Sequence, residues 1–429
     1  MKHNIFRGLL LLGGTLSLSL PVLAQHADAD LVARATRIHD SHPNLDNHLD
    51  IPFDYGSGEL DAGLDGATQF DLPKAKRGHL HGAVVALFVP QAARTPAGYQ
   101  AAEEKALAKL VILQGIARKY PGQVALVRSP QELRQAETEG KFAIVLQILN
   151  GYPIGKDLSK LDEWYARGVR IFGFTHNGNN DLADSSRPHL LTSDRLGENG
   201  GLSPLGKEAV KRLNDLGIVI DVSQISAQAL EQVLALTRAP VVASHSNARA
   251  IIDHPRNLDD AQLQAIKRNG GVVAVNAYSS WVHPLPPEAV AEANAVRRKY
   301  GVPTEAVVNG VQPTTEAGLK KLDSETFASY SKEFHAITGS EKYRATLSEY
   351  VDQIDYVVKQ IGIDHVGISS DFNHGGGVVG WQDVGDSLNV TAELLRRGYS
   401  EADIAKLWGG NFLRVWAQVQ SLAADRHED

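Results

Sequence analysis

Pro240-Val241-Val242-Ala243-Ser244-His245-Ser246-Asn247 is a short apolar run that breaks into polar residues at its end. Stretches with helix-period apolar residues flank it, Ala227–Leu236 before and Asp259–Arg268 after. A β-branched run set between amphipathic stretches is the pattern of a parallel strand covered by helices, because hairpin strands alternate polar and apolar residues. The unit recurs along the chain at Pro43–Asp50, Gly82–Pro90, Phe142–Asn150, Val169–Asn177, Ile218–Ile225, Gly271–Ser279 and His365–Asn373. Eight β/α units in about 380 residues point to an α/β protein, a (β/α)8 TIM barrel. The Ala-, Glu- and Lys-rich stretch from Trp281 to Tyr350 then reads as a helical insertion before the eighth strand. A second insertion, Asp181 to Gly201, carries Asp184-Ser185-Ser186-Arg187-Pro188 and follows a strand end, so it is expected to cover a pocket.

Composition narrows the function. The 429 residues are 43% hydrophobic and 22% charged, enough for a large core, and the net charge of −7 comes without a basic run. Nucleic acid is therefore not an expected partner. With no cysteine, thiolate catalysis, Cys-ligated zinc and disulfides are excluded. At the N-terminus, Lys2 and Arg7 precede an apolar stretch, Gly8 to Leu20, that ends in Pro21-Val22-Leu23-Ala24-Gln25. That is the form of a secretory signal peptide over residues 1–24, and the stretch falls short of the about 20 residues that span a bilayer. The reading is a soluble periplasmic protein with one domain, 25–429, and no integral membrane segment after cleavage.

Many of the apolar runs end in polar or ionisable residues: His48 and Asp50, His176 and Asn177, Gln224, Ser244 and His245, Asn276 and Tyr278, and Asp371. In such a barrel the active site is assembled at the C-terminal ends of the strands, so residues hundreds of positions apart meet there. His48 and Asp50 share one face of a strand, which lets an imidazole and a carboxylate address one divalent ion. His245 and Asp371 add two further candidates on the same rim. Zinc held by such groups lowers the pKa of its water toward about 7 and polarises a carbonyl, the chemistry of metal-assisted amide hydrolysis. Among the remaining histidines near these motifs, His374 is the one expected to line the rim.

From about His42 to about Val419 the chain resembles the membrane (renal) dipeptidase family, zinc hydrolases of the amidohydrolase barrel type. The resemblance rests on Leu45-Asp46-Asn47-His48-Leu49-Asp50-Ile51-Pro52, Asn150-Gly151-Tyr152-Pro153, Thr175-His176-Asn177, Ser244-His245-Ser246, His254-Pro255-Arg256-Asn257 and Asp371-Phe372. It implies that His48 and Asp50 ligate a first zinc and His245 a second. It further implies that His176 contacts the scissile carbonyl, that Arg256 with Tyr278 binds the substrate carboxylate, and that Asp371 takes part in proton transfer. Arg256 suits that role because its planar guanidinium matches a carboxylate.

Two positions depart from the family pattern. Where the family ends its third strand with a Glu that bridges both zincs, this chain has Leu149; where it ends the fifth strand with a His, this chain has Gln224. Leucine ligates nothing, and a carboxamide is a poor zinc ligand. Gln147 lies two residues deeper with the parity of Leu149, but brings no charge. The expectation is an exported dipeptidase-like metallohydrolase that cleaves the amide bond of dipeptides or short peptide-like molecules with one zinc, or none. Two alternatives stand beside it. One is a periplasmic peptide-maturation factor of the family, as in pyoverdine siderophore maturation, without ordinary dipeptidase activity. The other is a metal-free peptide-binding pseudoenzyme. A homodimer is left open.

The signal-peptide reading is checked by N-terminal sequencing of protein from the periplasmic fraction, which should begin at Gln25; an intact membrane-embedded chain starting at Met1 would overturn it.

Overall fold

The computed structural model describes residues 20–189, 194–302 and 322–424. Its nine strands are β1 (Asp46–Leu49), β2 (Gly82–Ala86), β3 (Val124–Val127), β4 (Phe142–Leu149), β5 (Val169–Gly173), β6 (Val219–Asp221), β7 (Val242–Ala243), β8 (Val272–Asn276) and β9 (Val366–Ser369). All pair in parallel in the order β1-β2-β4-β5-β6-β7-β8-β9, and β3 pairs with the first half of β4. Each of the eight expected runs contains one barrel strand. The short ninth strand, Val124–Val127, was not expected: its four residues carry no polar ending of the kind that marks the others.

Every residue of β4 is buried, as a strand covered on both faces requires. The sheet comes round on itself where β1 meets the end of β9. The Asp371 N–H donates to the His48 carbonyl at 3.0 Å, the Asp50 N–H to the Phe372 carbonyl at 2.9 Å, and Asn47 Nδ2 to the Ile368 carbonyl at 2.8 Å. These bonds bring His48 and Asp371, which are distant in sequence, to one side of the barrel mouth.

The covering helices begin where local chemistry dictates. Asp259 caps the helix Asp260–Arg268 in a reciprocal box with Gln262. The helix Pro96–Lys119 starts at Pro96 because Thr95 caps it and proline suits its first turn. Its buried stripe runs through Ala102, Ala106, Lys109, Leu110, Leu113 and Ile116, so a lysine sits on the apolar face. At the opposite end of the barrel, Phe412, Val415, Trp416 and Val419 of the helix Asn411–Ala424 pack on strand residues such as Val145, Ile171, Val219 and Val272. That packing closes the base and leaves the C-terminal face for chemistry.

Among the described residues the insertion before β9 is helical as expected, with helices Ser279–Val282, Pro287–Lys299 and Ser324–Thr338, and residues 303–321 lie outside them. Residues 1–19, which hold most of the expected signal peptide, lie outside the described residues. Among the described residues no helix is long and apolar enough to cross a membrane.

His39, on the helix Leu20–Ser41, ties this helix to the barrel's outer layer. Its Nδ1 faces the His79 carbonyl at 3.1 Å, and its Nε2 meets the Thr391 hydroxyl at 2.7 Å. Thr391 in turn accepts from Trp408 Nε1 at 2.7 Å, so its hydroxyl proton is free to point at a neutral imidazole. Burial pushes His39 down from 6.5 to about 4, against the pull of the His79 carbonyl. Above pH 6.5 the group is neutral folded and unfolded and has no effect on pH dependence. As pH falls from 6.5 toward 4 the unfolded chain takes up a proton that the folded site refuses, and stability is lost. Urea unfolding near pH 7 and near pH 5 should show a larger loss for the wild type than for His39→Gln; equal losses would mean that His39 protonates freely in the fold.

Candidate active site

Several strands end at residues held in the left-handed backbone region, Asn150 (φ 74°), Gln224 (φ 72°), Asp371 (φ 57°) and Asn373 (φ 60°). Such conformations are unfavourable away from glycine, least so for Asn and Asp, and tend to gather at functional sites. Two of them, Gln224 and Asp371, line a cavity of about 390 Å³. Phe88, His176, Asp371 and His374 wall one part of it, Arg187, Gln224, Tyr278 and Trp281 another. Phe327, Ser331 and His335 from the insertion helix Ser324–Thr338 complete the enclosure.

Beneath the cavity runs a continuous hydrogen-bond chain centred on Asp221 at the end of β6. Asp221 Oδ2 accepts from Gln147 Nε2 at 2.7 Å and from the Ser244 hydroxyl at 2.6 Å, while Oδ1 accepts from the backbone N–H groups of Ser223 and Ser244. These contacts fix the neighbouring groups by elimination. Since Gln147 Nε2 faces a carboxylate, its Oε1 faces His48 Nδ1 at 2.8 Å, and that nitrogen carries the ring proton. Since the Ser244 hydroxyl donates to Asp221, its oxygen accepts from His245 Nδ1 at 2.7 Å. His245 Nε2 therefore presents a lone pair, which Gln224 Nε2 meets at 3.0 Å. Burial lowers the pKa of both imidazoles, for His48 against the opposing pull of Asp371, so the neutral forms that this chain requires are the favoured ones.

The three residues named for metal binding have other partners. His48 and His245 stack face to face, with centroids 3.9 Å apart and planes 8° from parallel. An ion in the plane of one ring lies well out of the plane of the other, so the two cannot share an ion in this arrangement. Asp50 is engaged by Lys109, whose buried Nζ donates to Oδ1 at 2.5 Å; Oδ2 faces His374 Nδ1 at 3.1 Å. Burial alone would raise the Asp50 pKa, but His374 and Lys109 outweigh it and hold the carboxyl below its ordinary value. Lys109 also lies over the Phe53 ring at 4.9 Å. His48 Nε2, buried without a hydrogen-bond partner, faces Asp371 Oδ1 at 3.7 Å, which offers an ion two ligands where zinc takes three or four. Among the described residues no group of three or more His, Cys, Asp or Glu side chains is placed to hold a metal ion. The residues present do not fit the family's metal centre.

Asp371 is oriented by Asn276, whose Nδ2 donates to Oδ2 at 3.0 Å. The Asn276 amide cannot turn round, because its Oδ1 accepts from the Tyr278 N–H at 2.8 Å. His176 lines the cavity against Phe88 and His374, and burial followed by the positive field of its neighbours lowers its pKa well below 6.5. Tyr278 stacks on Trp281 with centroids 4.1 Å apart, and Arg187 and Arg256 lie over the same indole at 5.1 and 4.9 Å. Burial and the charge of Arg187 push the Arg256 guanidinium down to about 9.

His176, Tyr278 and Asp371 thus line one cavity, with His48 and His245 below, Asp50 reached through His374, and Arg256 behind the Trp281 wall. Lys109, Gln147, Arg187, Asp221 and Trp281 were not among the candidates. A lysine on the apolar stripe of a helix was the available signal for Lys109, and Arg187 sits in the insertion expected to cover the pocket.

The family model places this barrel among the hydrolases of dipeptidase type. The model of the membrane dipeptidase family, peptidase family M19, matches residues 32–429, and the chain belongs to that family. Among solved structures it is 47% identical to the probable dipeptidase PvdM from Pseudomonas aeruginosa, over 92% of this chain and 100% of that one, with a TM-score of 0.87. A metallo peptidase from Rhodobacter sphaeroides, liganded with a phosphinate mimic of the dipeptide L-Ala-D-Ala, shares the fold at 22% identity. That match covers 88% of this chain and 99% of the other, with a TM-score of 0.65. The family is metal-dependent, and in this chain the Asp50 carboxylate is held by Lys109.

Elemental analysis after dialysis should find at most one zinc per chain. Lys109→Ala, Leu149→Glu and Gln224→His combined should raise that number toward two, because they free Asp50 and restore the bridging carboxylate and the second imidazole. Two zincs per chain in the unmodified protein would show that other groups replace the missing ligands.

Proposed function

We propose that this is an exported dipeptidase-family protein that takes a dipeptide or short peptide-like molecule into the cavity at the barrel mouth. The observation that carries the reading is one cavity lined by His176, Asp371, an arginine, Tyr278 and Trp281 together. Such a wall suits a molecule with an amide at its centre and a carboxylate at one end. His176, neutral by burial, can donate to a carbonyl oxygen, and Asp371, held by Asn276, can take a proton or hold an ammonium group. No step is assigned to a metal, since the candidate ligands are engaged elsewhere.

The Lys109–Asp50 ion pair favours a second reading, that of a peptide-maturation factor that binds its peptide without ordinary dipeptide hydrolysis. Both readings share the pocket and differ in turnover. A dipeptide library assayed with and without added zinc separates them. Turnover that falls at least about tenfold in Asp371→Asn supports hydrolysis, since general acid–base contributions are of that order or larger. Binding without cleavage products supports the maturation factor. Absence of both binding and turnover across the library would sink the proposal.

A further inference from the structure

The sequence resemblance gives the substrate carboxylate to Arg256, but the geometry of that side chain is unfavourable for direct contact. Arg256 Nη1 donates to the Ser246 hydroxyl at 2.9 Å and Nη2 to the His245 carbonyl, and the residue is 2% exposed. It does not line the cavity. The guanidinium that does is Arg187. Arg187 Nη2 donates to Gln224 Oε1 at 2.5 Å, which fixes the plane of the group, while its buried Nε has no acceptor. Among the described residues neither arginine has a carboxylate within ion-pair distance, and each lies over the Trp281 ring.

Gln224 explains how this arrangement can persist. Its Oε1 accepts from Arg187 and its Nε2 donates to His245, so one neutral carboxamide joins the guanidinium to the Asp221 chain. A carboxylate at this position would cancel the charge of Arg187; a carboxamide orients the group and leaves its charge uncompensated. Burial lowers the Arg187 pKa to about 10, outweighing the more distant pull of Tyr278 and Asp371. A buried cation in that state is costly unless a ligand supplies the anion.

We propose that Arg187, held by Gln224, receives the carboxylate of the bound peptide, and that Arg256 acts from behind the wall as a positioning residue. This rests on the reading of the cavity as a peptide site. The position that the resemblance gives to a metal-ligating histidine thereby serves an anion receptor instead.

The test uses three probes: Ala-Ala with a free C-terminus, Ala-Ala amide with no carboxylate, and Ala-Glu amide with a side-chain carboxylate alone. Binding is followed by calorimetry and by Trp fluorescence, with thermal melts to confirm folding. The wild type should prefer Ala-Ala over its amide by about 10- to 100-fold, the range expected of a charge-assisted pair. Binding of Ala-Glu amide in place of Ala-Ala would assign the receptor to a side-chain acid, still at Arg187. Arg187→Met should erase the preference, Arg187→Lys should keep part of it, and Gln224→Met should weaken it by loosening the guanidinium. The inference is overturned if Arg187→Met retains the wild-type preference, or if a folded Arg256→Met loses it while Arg187→Met does not. It also falls, with the peptide-site reading intact, if the wild type binds acids and amides equally. Both readings fall if the wild type binds none of the probes.

Discussion

Asp221 is the group on which the site depends. It ends β6 fully buried, and its two oxygens accept from Gln147, from the Ser244 hydroxyl and from two backbone N–H groups. Because the carboxylate takes every proton offered to it, each amide and imidazole outward from it has one orientation. That polarity reaches His48 through Gln147, and reaches His245, Gln224 and Arg187 through Ser244. Buried polar groups are as a rule hydrogen-bonded, so His48 Nε2 and Arg187 Nε, at the two ends of this network and without partners, are places where chemistry can act.

Two sets of contacts occupy the groups that the resemblance names as metal ligands. His245 Nε2 spends its lone pair on Gln224, and Asp50 spends its oxygens on Lys109 and His374. An ammonium and a guanidinium now stand beside positions where the resemblance places metal ligands. Side-chain cations carry one charge each and donate hydrogen bonds, so they can orient and bind anions, but they cannot activate a water as a zinc ion does. Leu149, buried at the end of β4, adds only apolar surface where the resemblance places a bridging carboxylate.

Enclosure comes from elements outside the barrel. The loop with Asp184–Pro188 brings Arg187 over the mouth, anchored by the Ser185 hydroxyl on the His176 carbonyl, and the helix Ser324–Thr338 brings Phe327, Ser331 and His335. Burial behind these elements lowers the pKa of His176 and Arg187. Interior polar groups thus gain strength from water exclusion by segments that contribute nothing to the barrel sheet.

The barrel itself was legible in the sequence, because burial on both faces favours apolar residues in most strands and leaves polar ones gathered toward their C-terminal ends. That periodicity is local, and so are the caps at Thr95 and Asp259 and the His48-x-Asp50 spacing. The replacements Leu149 and Gln224 were also plain as letters. What the replaced positions do was decided by tertiary structure, since it depends on partners supplied by other elements: Lys109 from a covering helix to Asp50, Arg187 from an insertion to Gln224, and Gln147 from β4 to His48. A sequence fixes which groups can donate and accept, but the direction of each hydrogen bond follows from which neighbour already holds the proton, and that is settled when the chain brings Asp221 and its partners together in the barrel.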